Sequence, residues 1–576
     1  MRNSSFGRIL AIFAAAASAL ALAAFAAPGF PQAAPNQQTQ SQTPQMPAVH
    51  VSTRLVQVNV IAQDGDGKPV MGLTKEDFEI LDQGRPQHIS FFSLQENTTV
   101  STERAAAAAP VVPPGMHLFS NRLQERTGVP PNVTVILLDA LNTRGNDLPY
   151  ARKQLEKFVQ TQLRPEDRVA LYEMTGSSLS ILHDFTTDAT ELLAALDKNE
   201  KSNTEDFRAG ASEPEAPDTG DAILDASVGA FNARMALFYM NDRVEKTATA
   251  LKVIADHISG LPGRKNLVWV SASFPMQIIG GELPLDTTNY ASQIEDAARA
   301  LNNANVAIYP VDARGLIANP TTVTRPGVRA GRGVAQIPNG STAPSPFPSR
   351  QNFDSMIALA NRTGGRAFYN TNDIKGSVRH AIDESRVTYM LGYYPEGGEW
   401  DKKFHEIKVK VNKGGVHLRY REGYFAIPET IPTPQEKLQM MAAAVWSPLE
   451  ATELGLDLEV EPIDVPGARQ VKTKIHVSPG QMRFAREGDK WTDLLDVVWV
   501  IVGRNGNVLA KKSAPLNMGL TQQNYDTVMR DGLSFSGTID LTDDATEVRV
   551  VARDSGTGAI GSVVVPLGRL FRAAGR

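Results

Sequence analysis

The sequence predicts an α/β protein with a doubly wound central domain, flanking β-rich segments and a C-terminal β-sandwich-like domain. Three observations predict it. First, Val133-Thr-Val-Ile-Leu-Leu-Asp, the run from Asn266 to Ser271 and the run from Val306 to Asp312 are apolar or β-branched with little alternation. Runs of this kind suit parallel strands covered on both faces. Second, stretches with apolar residues three and four apart separate these runs, as crossover helices would. Third, from Thr388 onward the chain alternates with period two between turn residues, the pattern of antiparallel strands.

Taken in order, the chain opens with Arg2 and Arg8 ahead of an Ala-rich apolar stretch that closes in Ala24-Phe25-Ala26. A positive start, a short apolar region and a small-x-small site describe a cleaved signal peptide over residues 1–26. A retained membrane anchor is the alternative, and the Ala-rich composition favours cleavage. The expected address is secreted or periplasmic, with no transmembrane segment in the mature chain. Residues 27–48, rich in Pro and Gln, read as a disordered linker. In 49–96, Val56, Val58 and Val60 alternate with polar residues, and Phe78-Glu-Ile-Leu-Asp-Gln-Gly and His88-Ile-Ser-Phe-Phe-Ser-Leu add two short strands. That is too little for a stable sheet, so partner strands are expected from elsewhere. Residues 97–129, with an Ala-Ala-Ala-Ala-Ala-Pro run, read as a linker.

Residues 130–386 carry the α/β pattern. Helices are expected over 150–163, 187–196, 244–261, 294–301, 354–362 and 374–385. Strands are expected at 133–139, 167–174, 179–185, 266–275 and 305–312. The polar stretch 201–220 reads as an insertion. The 316–350 stretch is too irregular for a packed core and is either functional or disordered. Its Gly331-Arg-Gly333 lacks the third glycine and the preceding strand of a dinucleotide loop. Residues 387–427 return as strands expected to pair with 49–96, which makes the α/β domain an insertion between two halves of one β-unit. Residues 428–436 read as a linker. Residues 437–576 read as a β domain, with strands at 456–460, 471–477, 495–502, 534–539 and 548–552.

Composition excludes several functions. A net charge of −5 and a pI near 6.1 disfavour nucleic acid as a partner. The chain has no cysteine, which rules out disulfides, thiolate metal sites and Cys nucleophiles. There is no Gly-x-Ser-x-Gly elbow, Walker loop or His-Glu-x-x-His pair.

The candidate site is the turn after the first buried run. Asp139 falls at the carboxyl end of its strand, where open α/β sheets bind ligands. Asn142 and Thr143 add two short oxygen-bearing side chains. In one reading all three cap the next helix and finish the loop. In the other they are oxygen ligands for a hard cation such as Mg²⁺ or another divalent ion. Asp184 and Asp312 also end or follow strands, which keeps a metal-dependent envelope hydrolase open as an alternative.

Ile136-Leu-Leu-Asp-Ala-Leu-Asn-Thr143 resembles the first strand and metal loop of a von Willebrand factor A domain, a Rossmann-like fold whose loop reads Asp-x-Ser-x-Ser. Asp139 and Thr143 match it. Leu141 takes the place of the middle ligand, and Asn142 lies one residue out of register. Asp218-Thr-Gly-Asp-Ala-Ile-Leu resembles the family's second loop, which implies Thr219 as a further ligand. Ser271-Ala272-Ser273 stands where the family carries a third, acidic loop residue. Gly263-Arg-Lys-Asn-Leu-Val-Trp-Val-Ser, Gly392-Tyr-Tyr-Pro, Lys408-Val-Lys-Val, Arg421-Glu-Gly-Tyr-Phe and Leu73-Thr-Lys-Glu-Asp-Phe resemble a narrower group, the VWFA-related Acidobacterial domain family. The resemblance spans about residues 49–427. It implies a degenerate metal-ion-dependent adhesion site at Asp139, Thr143 and Thr219. It also implies a non-enzymatic protein-binding or scaffold role, cell adhesion among its forms. The partner would be a protein or envelope component that offers an acidic residue. A purely structural envelope protein is the remaining alternative.

Overall fold

A computed structural model describes residues 55–96, 116–122, 133–143, 145, 147–202, 222–272, 291–316, 351–395, 400–428, 432–465 and 468–570. The chain is mixed α/β with several sheets. It begins with β1 (Val56–Gln63), β2 (Phe78–Asp82), β3 (Arg85–Gln87) and β4 (Ile89–Glu96). Next comes β5 (His117–Ser120), a strand inside the 97–129 stretch read as linker. It joins a sheet of the C-terminal domain, described below. Four residues carry too little alternation to register as a strand.

The central sheet follows. Its strands are β6 (Val133–Asp139), β7 (Val169–Met174), β8 (Leu179–Thr186), β9 (Lys265–Ser271) and β10 (Val306–Asp312). Their order is β10-β9-β6-β7-β8, with β8 antiparallel at one edge and the other four parallel. The chain runs outward from β6 to β8 and then returns to β9 on the other side of β6. Strand order therefore reverses between β6 and β9.

Both faces are covered, which is why β6, β7, β9 and β10 are buried at every position. Val133, Val135 and Leu137 meet α3 (Ala222–Ile258), α4 (Ala291–Asn303) and α5 (Gln351–Thr363). Ile136 and Leu138 point the other way, onto α1 (Asp147–Thr161), α2 (Ala189–Ser202) and α6 (Ile374–Glu384). The long helix α3 begins at Ala222, well before the periodic stretch at 244–261. Before Val244 its described side chains are exposed or half-buried, so apolar spacing alone does not announce it.

Beyond α6 the chain completes the first β-unit with β11 (Val387–Tyr393), β12 (Phe404–Val411), β13 (His417–Arg419) and β14 (Gly423–Phe425). β11 lies between β1 and β4, antiparallel to both, while β12 pairs with β2 and β13 with β1. Val58, Val60, Ile80, Tyr389, Leu391 and Ile407 from the two separated segments share one core. Each such side chain contributes roughly 1.5–3 kcal/mol by leaving water. Neither segment holds enough of these groups alone.

The stretch 428–436 is not wholly a linker, because α7 (Pro434–Trp446) starts inside it. Thr433-Pro-Gln-Glu436 forms a capping box: Thr433 Oγ1 accepts from Glu436 N, and Glu436 Oε2 accepts from Thr433 N. The C-terminal strands are β15 (Leu456–Val465), β16 (Ala468–Val477), β17 (Ala485–Glu487), β18 (Lys490–Gly503), β19 (Val508–Leu520), β20 (Leu533–Leu541), β21 (Ala545–Asp554) and β22 (Ile560–Pro566). One sheet runs β20-β16-β15-β5, and β18 carries β17, β19 and β21 in the other. Leu458, Val460 and Ile475 of the first sheet share a core with Val497, Trp499 and Val550 of the second. Asn121, fully buried beside β5, donates to Ala451 O and Leu454 O and accepts from Leu456 N. The same region meets the end of α3, where Thr452 Oγ1 donates to His257 O and accepts from Gly260 N.

Candidate functional site

Asp139 is the last residue of β6, at the carboxyl edge where strand order reverses. β6 and β9 run parallel with Leu137 opposite Trp269, so by alternation Asp139, Trp269 and Ser271 face the same side of the sheet. Four donors converge on the fully buried carboxylate. Asn142 N donates to Oδ1 at 2.9 Å, and Asn142 Nδ2 donates to Oδ2 at 2.8 Å. Ser271 Oγ and Trp269 Nε1 add bonds to Oδ2 at 2.8 and 3.0 Å. Burial pushes the Asp139 carboxyl up to about 6, against the opposing pull of these donors.

The knot extends in two directions. Asn142 Nδ2 also donates to Thr247 Oγ1 on α3, and that hydroxyl donates to Arg243 O. Thr143 Oγ1 accepts from Ala272 N at 3.0 Å, which fastens the β6 loop to the loop after β9. The structure thus brings Asp139, Asn142 and Thr143 together. Thr219 lies outside the described residues. Trp269 and Thr247 are partners that the sequence reading missed. Trp269 was within reach of it, since it precedes Ser271 by two positions on a recognised strand.

The helix-capping reading of Asp139 needs correction. α1 starts only at Asp147, and the carboxylate serves its own loop instead. The residues also do not fit a hard cation. Such an ion needs several free oxygens, and here both Asp139 oxygens face hydrogen-bond donors. Leu141, at the middle ligand position, packs against the apolar core on the α3 side. Asp312, at the end of β10, is held by Arg314 through Nε at 2.9 Å and Nη2 at 3.0 Å. Asp184 lies on the edge strand β8 and accepts from Phe185 N. Among the described residues, no group of three or more His, Asp or Glu side chains is placed to hold a metal ion.

With this edge defined, the chain is similar to solved structures of von Willebrand A type only at a low level. The SpRpn10 VWA domain matches at 15% identity and a TM-score of 0.16, over 31% of this chain and 74% of that one. The TFIIH p34 N-terminal domain gives the same identity and score, over 31% of this chain and 80% of its own. No family model and no curated protein matches the chain. The narrower Acidobacterial resemblance therefore has no family match behind it. A likeness of this degree carries no functional argument.

Proposed function

We propose that the chain is a non-enzymatic protein-binding or scaffold module that works outside the cytoplasm after its signal peptide is removed. In this reading the central unit is a doubly wound von Willebrand A-type domain, supported by the strand reversal beside β6 and by helices on both sheet faces. The C-terminal pair of sheets is a sandwich, supported by their shared core. Partner binding runs along the first half of α3, beside the Asp139 loop, and needs no cation.

One observation carries the proposal. Phe231, Phe238 and Tyr239 of α3 are 62%, 63% and 54% exposed. Phe231 and Phe238 are seven residues apart, so they share one stripe, with the partly exposed Met235 between them. Tyr239 adjoins it, its ring 5.8 Å from that of Phe238. Large aromatics grouped on a surface mark interaction sites and supply most of their binding energy. The Asn142–Thr247 bond anchors the same helix near the base of this stripe. Among the described residues no helix is long and apolar enough to cross a membrane.

The test places a photoreactive side chain at Arg234, between the aromatics, in the native cell envelope. The expected result is a discrete protein adduct that disappears in the Phe231→Ser, Phe238→Ser double variant while the melting curve stays unchanged. Absence of an adduct, or an adduct indifferent to both substitutions, would overturn the reading.

A further inference from the structure

In the β-unit, side chains from four strands bring their polar atoms to one point. Asp82 ends β2, Tyr393 ends β11, His405 lies near the start of β12, and Tyr424 is the middle residue of β14. Asp82 comes from the first segment of the unit and the other three from the second. Asp82, Tyr393 and Tyr424 are buried, and the His405 side chain is 13% exposed. Tyr393 Oη and Tyr424 Oη donate to Asp82 Oδ2 at 2.9 and 2.8 Å. His405 Nδ1 lies 3.4 Å from Tyr424 Oη and 3.4 Å from Asp82 Oδ1. That second oxygen of Asp82 has no hydrogen-bond partner. Across the ring, His405 Nε2 is 3.3 Å from Asp401 Oδ1.

When Nε2 keeps its hydrogen for Asp401, Nδ1 turns a lone pair toward Asp82 Oδ1. Two acceptors then face each other, which calls for a cation or a proton between them. Metal-bound histidines are held in the same way, with the other ring nitrogen donating to a carboxylate. Bonds of about 2.0–2.1 Å to one metal place neighbouring ligands roughly 2.8–3.4 Å apart, for octahedral through tetrahedral angles. The separations among Asp82, Tyr393, His405 and Tyr424 fall in that range. The knot at Asp139 differs, because its N–H groups can only donate, whereas phenol and imidazole become ligands on losing a proton.

Charge selects the ion. Asp82 and two phenolates would bring three negative charges to a buried place, which a trivalent cation neutralises and a divalent one does not. Arg421 and Asp401 flank the site with one charge of each sign. Arg421 also lines the joint between the β-unit and the central sheet, beside Asn59 and Asn305. Burial, then the nearby Asp82, hold both phenols above their ordinary range, so a strongly polarising ion is needed to displace their protons. We propose that Asp82, Tyr393, His405 and Tyr424 bind a single ferric ion, which clasps together the two chain segments of the β-unit. On binding, both phenol protons pass to solvent, His405 gives its Nδ1 lone pair and Asp82 gives Oδ1. The oxidation state of the iron does not change. Water completes the coordination on the side where His405 and Asp401 reach solvent. The site takes no part in binding at α3.

The test is titration of the purified protein with ferric nitrilotriacetate at neutral pH. The expected result is one equivalent bound, a visible absorption band from phenolate-to-iron charge transfer, and a Tm raised by about 3–6 °C. Zinc gives no such band and should raise Tm less. Tyr393→Phe and Tyr424→Phe keep the rings in the core and remove one phenolate each. Each should weaken the band, and the double variant should lose both the band and the Tm shift. Should the double variant fail to fold, resonance Raman spectra of the wild type decide. Tyrosinate modes enhanced within the band support the site, and their absence overturns it. Equal wild-type melts with and without ferric ion, and no band, would leave a proton between His405 and Asp82 and overturn the proposal. A band undiminished in the double variant, or a zinc shift as large as the ferric one, would do the same.

Discussion

Asp139 holds its charge in a place that water does not reach, and four donors make that tolerable. Because its pKa in the folded chain, about 6, lies above the ordinary 3.8, the folded state binds this proton more tightly than the unfolded state. The resulting stability is fully present below pH ~4 and is lost as pH rises through about 6, on the order of 1–3 kcal/mol. Asp139→Asn removes the titration. It also presents an amide NH₂ where one oxygen met only donors, at a cost of about 1–3 kcal/mol. Urea denaturation at acid and neutral pH should therefore show a less stable variant with a shallower pH slope. Equal slopes in the two proteins would remove Asp139 as the titrating group. A second carboxylate behaves alike in the C-terminal domain. Burial, then the hydrogen bond and charge of Asp554, push Asp493 up to about 8. Asp554 meanwhile accepts from Thr557 N and Oγ1, both at 2.7 Å. One proton shared by the pair is lost as pH rises through that value, and stability falls with it. Asp493→Asn supplies a permanent N–H in its place. It should melt above the wild type at mildly alkaline pH, and a lower melting point there would show that no proton is shared.

Among the elements, legibility followed burial. β6, β9 and β10 were readable because covering both faces demands apolar residues at every position. The loop residues Asp139, Asn142 and Thr143 were readable as short oxygen-bearing side chains at a strand end. Their partners from outside the loop were not, because Trp269 lies on β9 and Thr247 on α3, more than a hundred residues away in sequence. β19 escaped notice for the opposite reason. Among the described residues it pairs only with β18, so its Lys511, Lys512 and Pro515 are tolerated at an edge and break the apolar alternation. β5 escaped because its four residues carry too little pattern, while its hold comes from pairing with β15 and from Asn121, Ser120 and Arg122 around it. Asn121→Ala would leave Ala451 O, Leu454 O and Leu456 N buried without that partner, at about 2–4 kcal/mol in total. Amide exchange at β5 should then accelerate while β16 stays protected. Unchanged protection of β5 would show that strand pairing with β15 alone retains it.

On the scale of the whole molecule, the β-unit is assembled from two segments with the entire α/β domain between them. Its core closes without that domain: the residues buried together come from β1, β2, β4, β11, β12 and β14 and the loops beside them. The chain leaves and re-enters the unit at one point, because Glu96 at the end of β4 is the register partner of Val387 at the start of β11. Those strands are antiparallel, so the gap has the geometry of a hairpin. Two residues such as Asn-Gly close a gap of this kind in a turn whose twist matches the strands. Joining 49–96 to 387–427 through Asn-Gly should therefore give a β-unit that folds by itself. It should also fold faster than the same unit in the full chain, since contacts once separated by about 300 residues become local. The expected observation is a cooperative thermal transition and a dispersed amide spectrum, with Tyr389 and Tyr393 shielded from solvent. A collapsed product without cooperative melting would mean that the unit needs the central sheet against Asn59 and Arg421, and that the joint is part of its core.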